Sequence, residues 1–358
     1  MLMRVGAKLG PRRGAVGKRE VSGTNAAERP RQRIALFDNI KGLLIILVVA
    51  GHFMHPIHND NQVLSCLFDI IYLFHMPLFI FVSGLFAKGA YRNGRLNINR
   101  MITYLVLGLA YQAAYLAISG LLTPRRMLLF TSAPWYLIGM VWWYLATPLL
   151  ARLSAPVGIG ASLAAALAWG CVDLSNGLLA ISRSLAFLPY FALGYYCTTD
   201  HLQQLAHRRW LWLAVGAALV IAALRIVDIH AYDWFFQMVY GDNPYEHGIA
   251  QGVAAKLVTT GIAVVFSLAV LRLIPKTRSR LTTLGARTLQ VYVLHRLVRA
   301  WLTFQTPFYD LSILLDPLVG TAIILALSGG VIVLCALPVF SRPFNALMRV
   351  RWLPRQAS

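Results

Sequence analysis

Apolar stretches of about 17 to 25 residues, the length a helix needs to cross roughly 30 Å of hydrocarbon, recur along the whole chain. Ten can be drawn, at residues 39–58, 63–87, 101–122, 134–151, 156–172, 183–198, 210–227, 249–271, 285–304 and 317–340. The fifth and sixth are short, and Pro189 in the sixth lacks a backbone donor and so kinks or breaks a helix. The pattern predicts an all-α fold, a polytopic membrane bundle of about ten transmembrane helices. Residues 1–33 are polar, basic and rich in Gly and Pro, which predicts a disordered tail. The apolar run after it is too long, and starts too late, for a cleavable signal peptide. The membrane domain is expected over residues 34–341, followed by a second basic tail at 342–358.

Composition supports this reading. Of 358 residues, 58% are hydrophobic and 13% charged, and the mean hydropathy is +0.63, far above an ordinary soluble domain. Charge adds an orientation. The chain has 33 Lys and Arg against 13 Asp and Glu, a net charge of +20. Most of the basic residues fall in alternate intervals (1–38, 88–100, 152–155, 199–209, 272–284 and 341–358), as cytoplasmic segments should. The longest interval of the other set, residues 228–248, carries Asp228, Asp233, Asp242 and Glu246 and no Lys or Arg. An even number of spans with both termini cytoplasmic follows, in a plasma or bacterial inner membrane. Short basic loops beside helices suit anionic lipid and argue against a nucleic-acid partner. Cys66, Cys171, Cys197 and Cys335 show no metal spacing and read as packing residues. No metal and no permanently bound cofactor is expected.

Any chemistry must then lie in the bundle, where ionisable groups are costly and mark functional candidates. In "KGLLIILVVAGHFMHP", Lys41 and His52 are eleven positions apart, within about 20° of one helix face and roughly 16 Å along the axis. Asp38, three residues before Lys41, can pair with it. Lys41 alone could be a snorkelling interfacial lysine. A buried imidazole tends to stay neutral, so His52 is a candidate proton acceptor, or else a histidine bonded to a neighbouring helix. For His55 and His58 the packing reading leads.

In "FDIIYLFHMPLFIFVSG", Pro77 frees a carbonyl beside His75, and a turn is expected at Ser83 and Gly84. Asp69 lies on a different face from His75 and is expected to pair with another helix. Lys88, Arg92, Arg95 and Arg100 could meet a phosphorylated ligand, or simply mark the cytoplasmic side. In the ninth stretch Tyr292 and His295 lie close to one turn apart, with Arg296 and Arg299 following, as a cavity wall would.

The blocks "FDNIKGLLIILVVAGH" and "FHMPLFIFVSG" resemble the signatures of the acyltransferase-3 group of membrane acyltransferases, particularly its fucose 4-O-acetylase-like branch. The first has an acidic residue, Lys41, ten residues and His52. Looser matches follow at Arg100, at "PWYLIGMVWW" around Trp135, at "FLPYFALGYY" and at "LTTLGARTLQVYVLH" ending on His295. Thr103 stands where relatives often have proline, and the spacing of Arg95 and Arg100 leaves open which of them meets a ligand. The hydrolase-like domain that some members carry does not follow the tenth span, so the chain is expected to act alone or with a separate partner.

The resemblance implies an enzyme that moves an acyl group, commonly acetyl from acetyl-CoA, to a hydroxyl of a sugar or cell-envelope glycan, free or lipid-linked. On that reading His52, with Lys41 and Asp38 on the same helix, forms the catalytic set. His52 would deprotonate the acceptor or assist an acyl-enzyme step. Lys41, Arg95, Arg100 and Lys88 would face the donor, and His75, Ser83, Trp135, Tyr292 and His295 would line the cavity. A secondary transporter and a non-catalytic scaffold are the competing classes; a transporter would also carry buried charge and broken helices.

Overall fold

Helix occupies all ten apolar stretches in the computed structural model, which describes residues 35–353 apart from 199–200, 203, 205–206 and 229. In chain order the helices are α1 (Ala35–Met54), α2 (Gln62–Phe86), α3 (Ile98–Ile118), α4 (Trp135–Leu150), α5 (Ala155–Trp169), α6 (Ile181–Ala186) and α7 (Leu188–Tyr196). They continue as α8 (Arg208–Val227), α9 (Asp233–Phe236), α10 (Ile249–Leu273), α11 (Arg280–Gly285), α12 (Thr288–Gln305), α13 (Val319–Cys335) and α14 (Pro338–Leu347). By length and hydropathy, five of these (α1, α2, α3, α8 and α10) qualify as membrane spans, or six if α13 and α14, bent by 61°, form one. The expected tail at 1–33 lies outside the described residues, as do residues 354–358.

Prolines set the breaks. Pro189 sits in the first turn of α7, where its missing N–H costs nothing, so the sixth stretch divides at Phe187 into α6 and α7. Pro338 starts α14 in the same way. One expectation is corrected. The helix does not turn at Ser83 and Gly84; α2 runs through Pro77 and both residues to Phe86. The all-α class also admits one small sheet among the described residues, a hairpin pairing Tyr91–Arg92 with Arg95–Leu96. Its turn, Asn93 and Gly94, has φ of 52° and 74°, the left-handed backbone that a two-residue hairpin requires.

Gly84 is a packing residue. A Cβ there would meet the carbonyl oxygen of Phe191 in α7, and one on Gly194 would meet that of Phe81 in α2. The same reciprocal crossing joins α1 and α11, where Gly42 faces the carbonyl of Leu281 and Gly285 that of Asp38. Between helices surrounded by lipid, association depends on such close approach, because burying apolar side chains gains little over leaving them in lipid. These crossings hold the helices that carry His52 and His75. Burial ranks the helices accordingly: 72% of the α1 span is buried against 11% of α8, which makes α1 central and α8 peripheral.

Polar groups lock the same helices at their ends. Asn39, fully buried, donates to the carbonyls of Pro275 and Thr277 (2.7 Å each) and accepts from Ser279 (2.9 Å) and Thr282 (2.6 Å). Every bond it can make ties α1 to the approach to α11. Asp69 pairs across helices as expected, with Arg225 of α8 at 3.4 Å, and Tyr232 donates to the same carboxylate. The C-terminal segment bonds to α3: Asn99 accepts from the backbone of Trp352 (2.7 Å) and Leu353 (2.9 Å), and Thr103 accepts from the Trp352 indole (3.0 Å).

Candidate active site

His52 lies in the last turn of α1 and forms part of the wall of a cavity of about 210 Å³, together with His75 of α2, Trp135 of α4, and Tyr292 and Arg296 of α12. Its Nδ1 is 2.8 Å from Nε2 of His295 on α12, and the planes of the two rings are nearly parallel, at 7°. His295 is fully buried behind it.

The backbone decides where the protons sit. His295 Nδ1 lies 2.7 Å from the carbonyl of Val291, one turn earlier in α12. A carbonyl only accepts, so His295 Nδ1 carries the hydrogen and, in the neutral ring, Nε2 is left as an acceptor. His52 must then donate through Nδ1. Its Nε2 keeps a lone pair, is bonded to no described residue, and belongs to a ring on the cavity wall. The Val291 carbonyl, acting through His295, thus leaves His52 able to accept a proton at one defined nitrogen. His75 uses the same device, donating from Nδ1 to the carbonyl of Ile71 at 2.7 Å.

This arrangement makes a test available. His295→Gln keeps an acceptor for His52 Nδ1, whereas His295→Ala removes it and frees the ring to change tautomer. If the chain has the acyl-transfer activity that the resemblance implies, turnover should fall on the order of 10²-fold in the alanine variant and less in the glutamine variant, measured as transfer of labelled acyl groups. Equal rates in wild type and His295→Ala would exclude the positioning role.

The rest of the wall is polar and aromatic. Tyr292 donates to the carbonyl of Ala133, and Tyr111 donates to the carbonyl of Tyr292 at 3.1 Å. Trp135 stacks on Phe187, with ring centroids 5.4 Å apart and the Arg183 guanidinium 5.7 Å over its ring. Tyr240 comes from the acidic interval between α9 and α10, where burial holds its hydroxyl above the ordinary tyrosine range and keeps it neutral.

The other expected site residues lie elsewhere. Ser83 bonds to the carbonyl of Phe79 (2.9 Å) and the hydroxyl of Tyr136 (2.7 Å), whose ring packs edge-on against Tyr292. Asp38 and Lys41 form an ion pair of 2.7 Å at the start of α1, roughly 16 Å along the helix from His52. Near that end a second cavity, about 290 Å³, is lined by Arg100, Asn99, Tyr144, Met348 and Val350 and by Phe86, over whose ring Lys41 sits at 5.6 Å. Lys88 donates to the carbonyl of Cys197 just past α7 (2.9 Å), and Arg95 is exposed on the hairpin. The structure thus groups His52, His75, His295, Trp135 and Tyr292, and sets Lys41 and Arg100 at the opposite end of the bundle.

Spacing does not single out Arg183, Ser132 or Tyr240, all of which line the first cavity. Arg183 alone had a visible signal, as an ionisable residue at the edge of an apolar stretch. The others come from loops whose position only packing defines.

The curated relatives include nodulation protein NolL of Sinorhizobium fredii (strain NBRC 101917 / NGR234), 52% identical over 56 residues, 15% of either chain. A second NolL, from Mesorhizobium japonicum (strain LMG 29417 / CECT 9101 / MAFF 303099), is 46% identical over 57 residues, again 15% of either chain. The chain therefore spans about 15% of the length of the curated relatives it matches. No solved structure matches it. A family model described as an acyltransferase domain, in contrast, matches residues 34–339, a span that contains both members of the histidine pair. On that match, which covers most of its length, the chain belongs to the acyltransferase-3 family of acyltransferases.

Proposed function

We propose that the protein is an integral membrane O-acetyltransferase that moves acetyl from acetyl-CoA to a hydroxyl of a sugar or cell-envelope glycan, in the manner of the fucose 4-O-acetylase-like branch. The observation that carries this reading is the lone pair on His52 Nε2, held toward a cavity by the chain Val291–His295–His52. A base at that nitrogen takes the proton of the acceptor hydroxyl as its oxygen attacks the thioester carbonyl. The tetrahedral intermediate then collapses. The C–S bond breaks, CoA leaves as thiolate, and the proton on His52 neutralises it. One hydroxyl and one thioester become one ester and one thiol.

The two cavities suit two substrates. Arg100 offers a guanidinium to the phosphates of acetyl-CoA in the second cavity, with Lys41 at the same end of the bundle. The acceptor, free or lipid-linked, enters the first. Ten spans with both termini cytoplasmic would set the donor cavity at the inner face of a plasma or bacterial inner membrane, with the basic loops against anionic lipid.

The test compares envelope glycans and small glycosides of wild-type and deleted cells by mass spectrometry, beside purified protein in vesicles given acetyl-labelled acetyl-CoA. Loss of one acetyl mass from a glycan, with label transferred in the vesicles, is expected. Identical glycan masses and no transfer would overturn the assignment.

A further inference from the structure

The first cavity is lopsided in charge. Arg183 and Arg296 both line it, and no Asp or Glu does among the described residues. Arg183 is partly compensated from behind, pairing with Asp242 at 2.5 Å and donating to the carbonyl of Thr131 at 3.0 Å. Its Nε is nevertheless buried without a partner. Arg296 meets only neutral groups: Nε and Nη2 converge on the Ser132 hydroxyl (3.1 and 2.9 Å), and the guanidinium lies 5.1 Å over the Tyr115 ring. One turn further along α12, Arg299 is buried and its Nε also lacks a partner. Neither Arg296 nor Arg299 has a carboxylate partner among the described residues.

Cations held in a low-dielectric bundle without counter-charge are costly, and an arginine fork is shaped for the oxygens of a carboxylate or phosphate. The unpaired charge also lies on one side of the histidine pair. Arg296 follows His295 directly and Arg299 comes a turn later, on the side away from Lys41 and Arg100. An anion there lies beyond His52 from the Lys41 end of α1, which is roughly 16 Å of helix away.

We propose that the acceptor is anionic, a sugar or glycan carrying a carboxylate or phosphate near the hydroxyl that is acylated, and that Arg296 with Arg183 holds that group while His52 takes the hydroxyl proton. This rests on the acetyl-transfer reading above, and deepens it by naming the substrate class. Ser132, which fixes two nitrogens of Arg296, sets the angle at which the remaining one is offered.

The experiment titrates full-length protein in detergent with glucose, glucuronate and glucose 1-phosphate, with and without CoA. Glucuronate or glucose 1-phosphate should bind about tenfold more tightly than glucose. That preference should weaken about tenfold in Arg296→Gln, persist in Arg100→Gln and in His52→Ala, and survive saturation with CoA. Should Arg296→Gln not fold, the wild-type preference and its response to CoA decide the matter. Equal binding of glucose and the anions, or no binding of either anion, overturns the proposal. So does displacement by CoA together with loss in Arg100→Gln, which would assign the anion to the donor. If anion selectivity is present and labelled acetyl is not transferred, the anion site stands and the acetyl-transfer reading fails. Transfer without anion selectivity removes this inference alone.

Discussion

Replacing His52 by Ala is expected to lower acyl transfer by about 10²- to 10⁴-fold, the range that a positioned general base contributes. The variant removes the imidazole lone pair that the His295 contact directs to Nε2; His75 also lines the wall, but from α2 and without the link to His295. The fold should survive, because the bundle is held elsewhere, by glycine crossings and by Asn39. The structural cost is the His295 Nε2 left without its donor, about 1 to 3 kcal/mol. A labelled-acetyl assay and a thermal melt on the same preparation separate the two effects. Wild-type turnover by a folded His52→Ala protein would remove the proton acceptor from the mechanism. Because His52 and His295 act as one unit, the double variant should be barely slower than His52→Ala alone; additive losses would mean two independent roles.

The largest effect on folding is expected at Gly194. Changing it to Val places a branched side chain where the Phe81 carbonyl of α2 already lies, and neither backbone can give way without separating the two helices. A loss on the order of 3 kcal/mol or more follows from such overpacking against backbone, enough to depress the melting temperature sharply or prevent accumulation in the membrane. Gly216 supplies the control. It lies in α8, the peripheral helix, with nothing within 4 Å of a Cβ, so Gly216→Val should melt close to wild type. Equal melting temperatures for Gly194→Val and Gly216→Val would show that α2 and α7 do not cross as closely as described.

The two glycine crossings show what a motif string conceals. Ser83 and Gly84 in "FVSG" read as a helix-ending turn, because Gly commonly ends helices. Gly84 instead serves a contact with α7 more than a hundred residues later, which no local pattern encodes. Ser83 stands beside it for the same reason, bonded within its own helix and to Tyr136, away from the cavity. The reading of Asp69 succeeded where it relied on geometry: its angular distance from His75 ruled out a dyad, and it pairs with Arg225 instead. The reading of Lys41 and His52 as one stripe also has a geometric basis, yet a shared face is not a shared site. Lys41 pairs with Asp38 and lies over Phe86, a full 11 residues of helix from the histidine.

By itself the sequence determined where helix forms, the break at Pro189, and the short inventory of ionisable residues that the bundle must accommodate. These are local properties: hydropathy and backbone chemistry act within a few turns of the chain. Only the tertiary structure decided which of those residues meet. His52 and His295 are 243 positions apart, and lipid and neighbouring helices present the same apolar surface to a helix face, so periodicity cannot tell one from the other. The tautomer of His52, and with it the nitrogen that can act as base, therefore exists only once α12 has packed against α1.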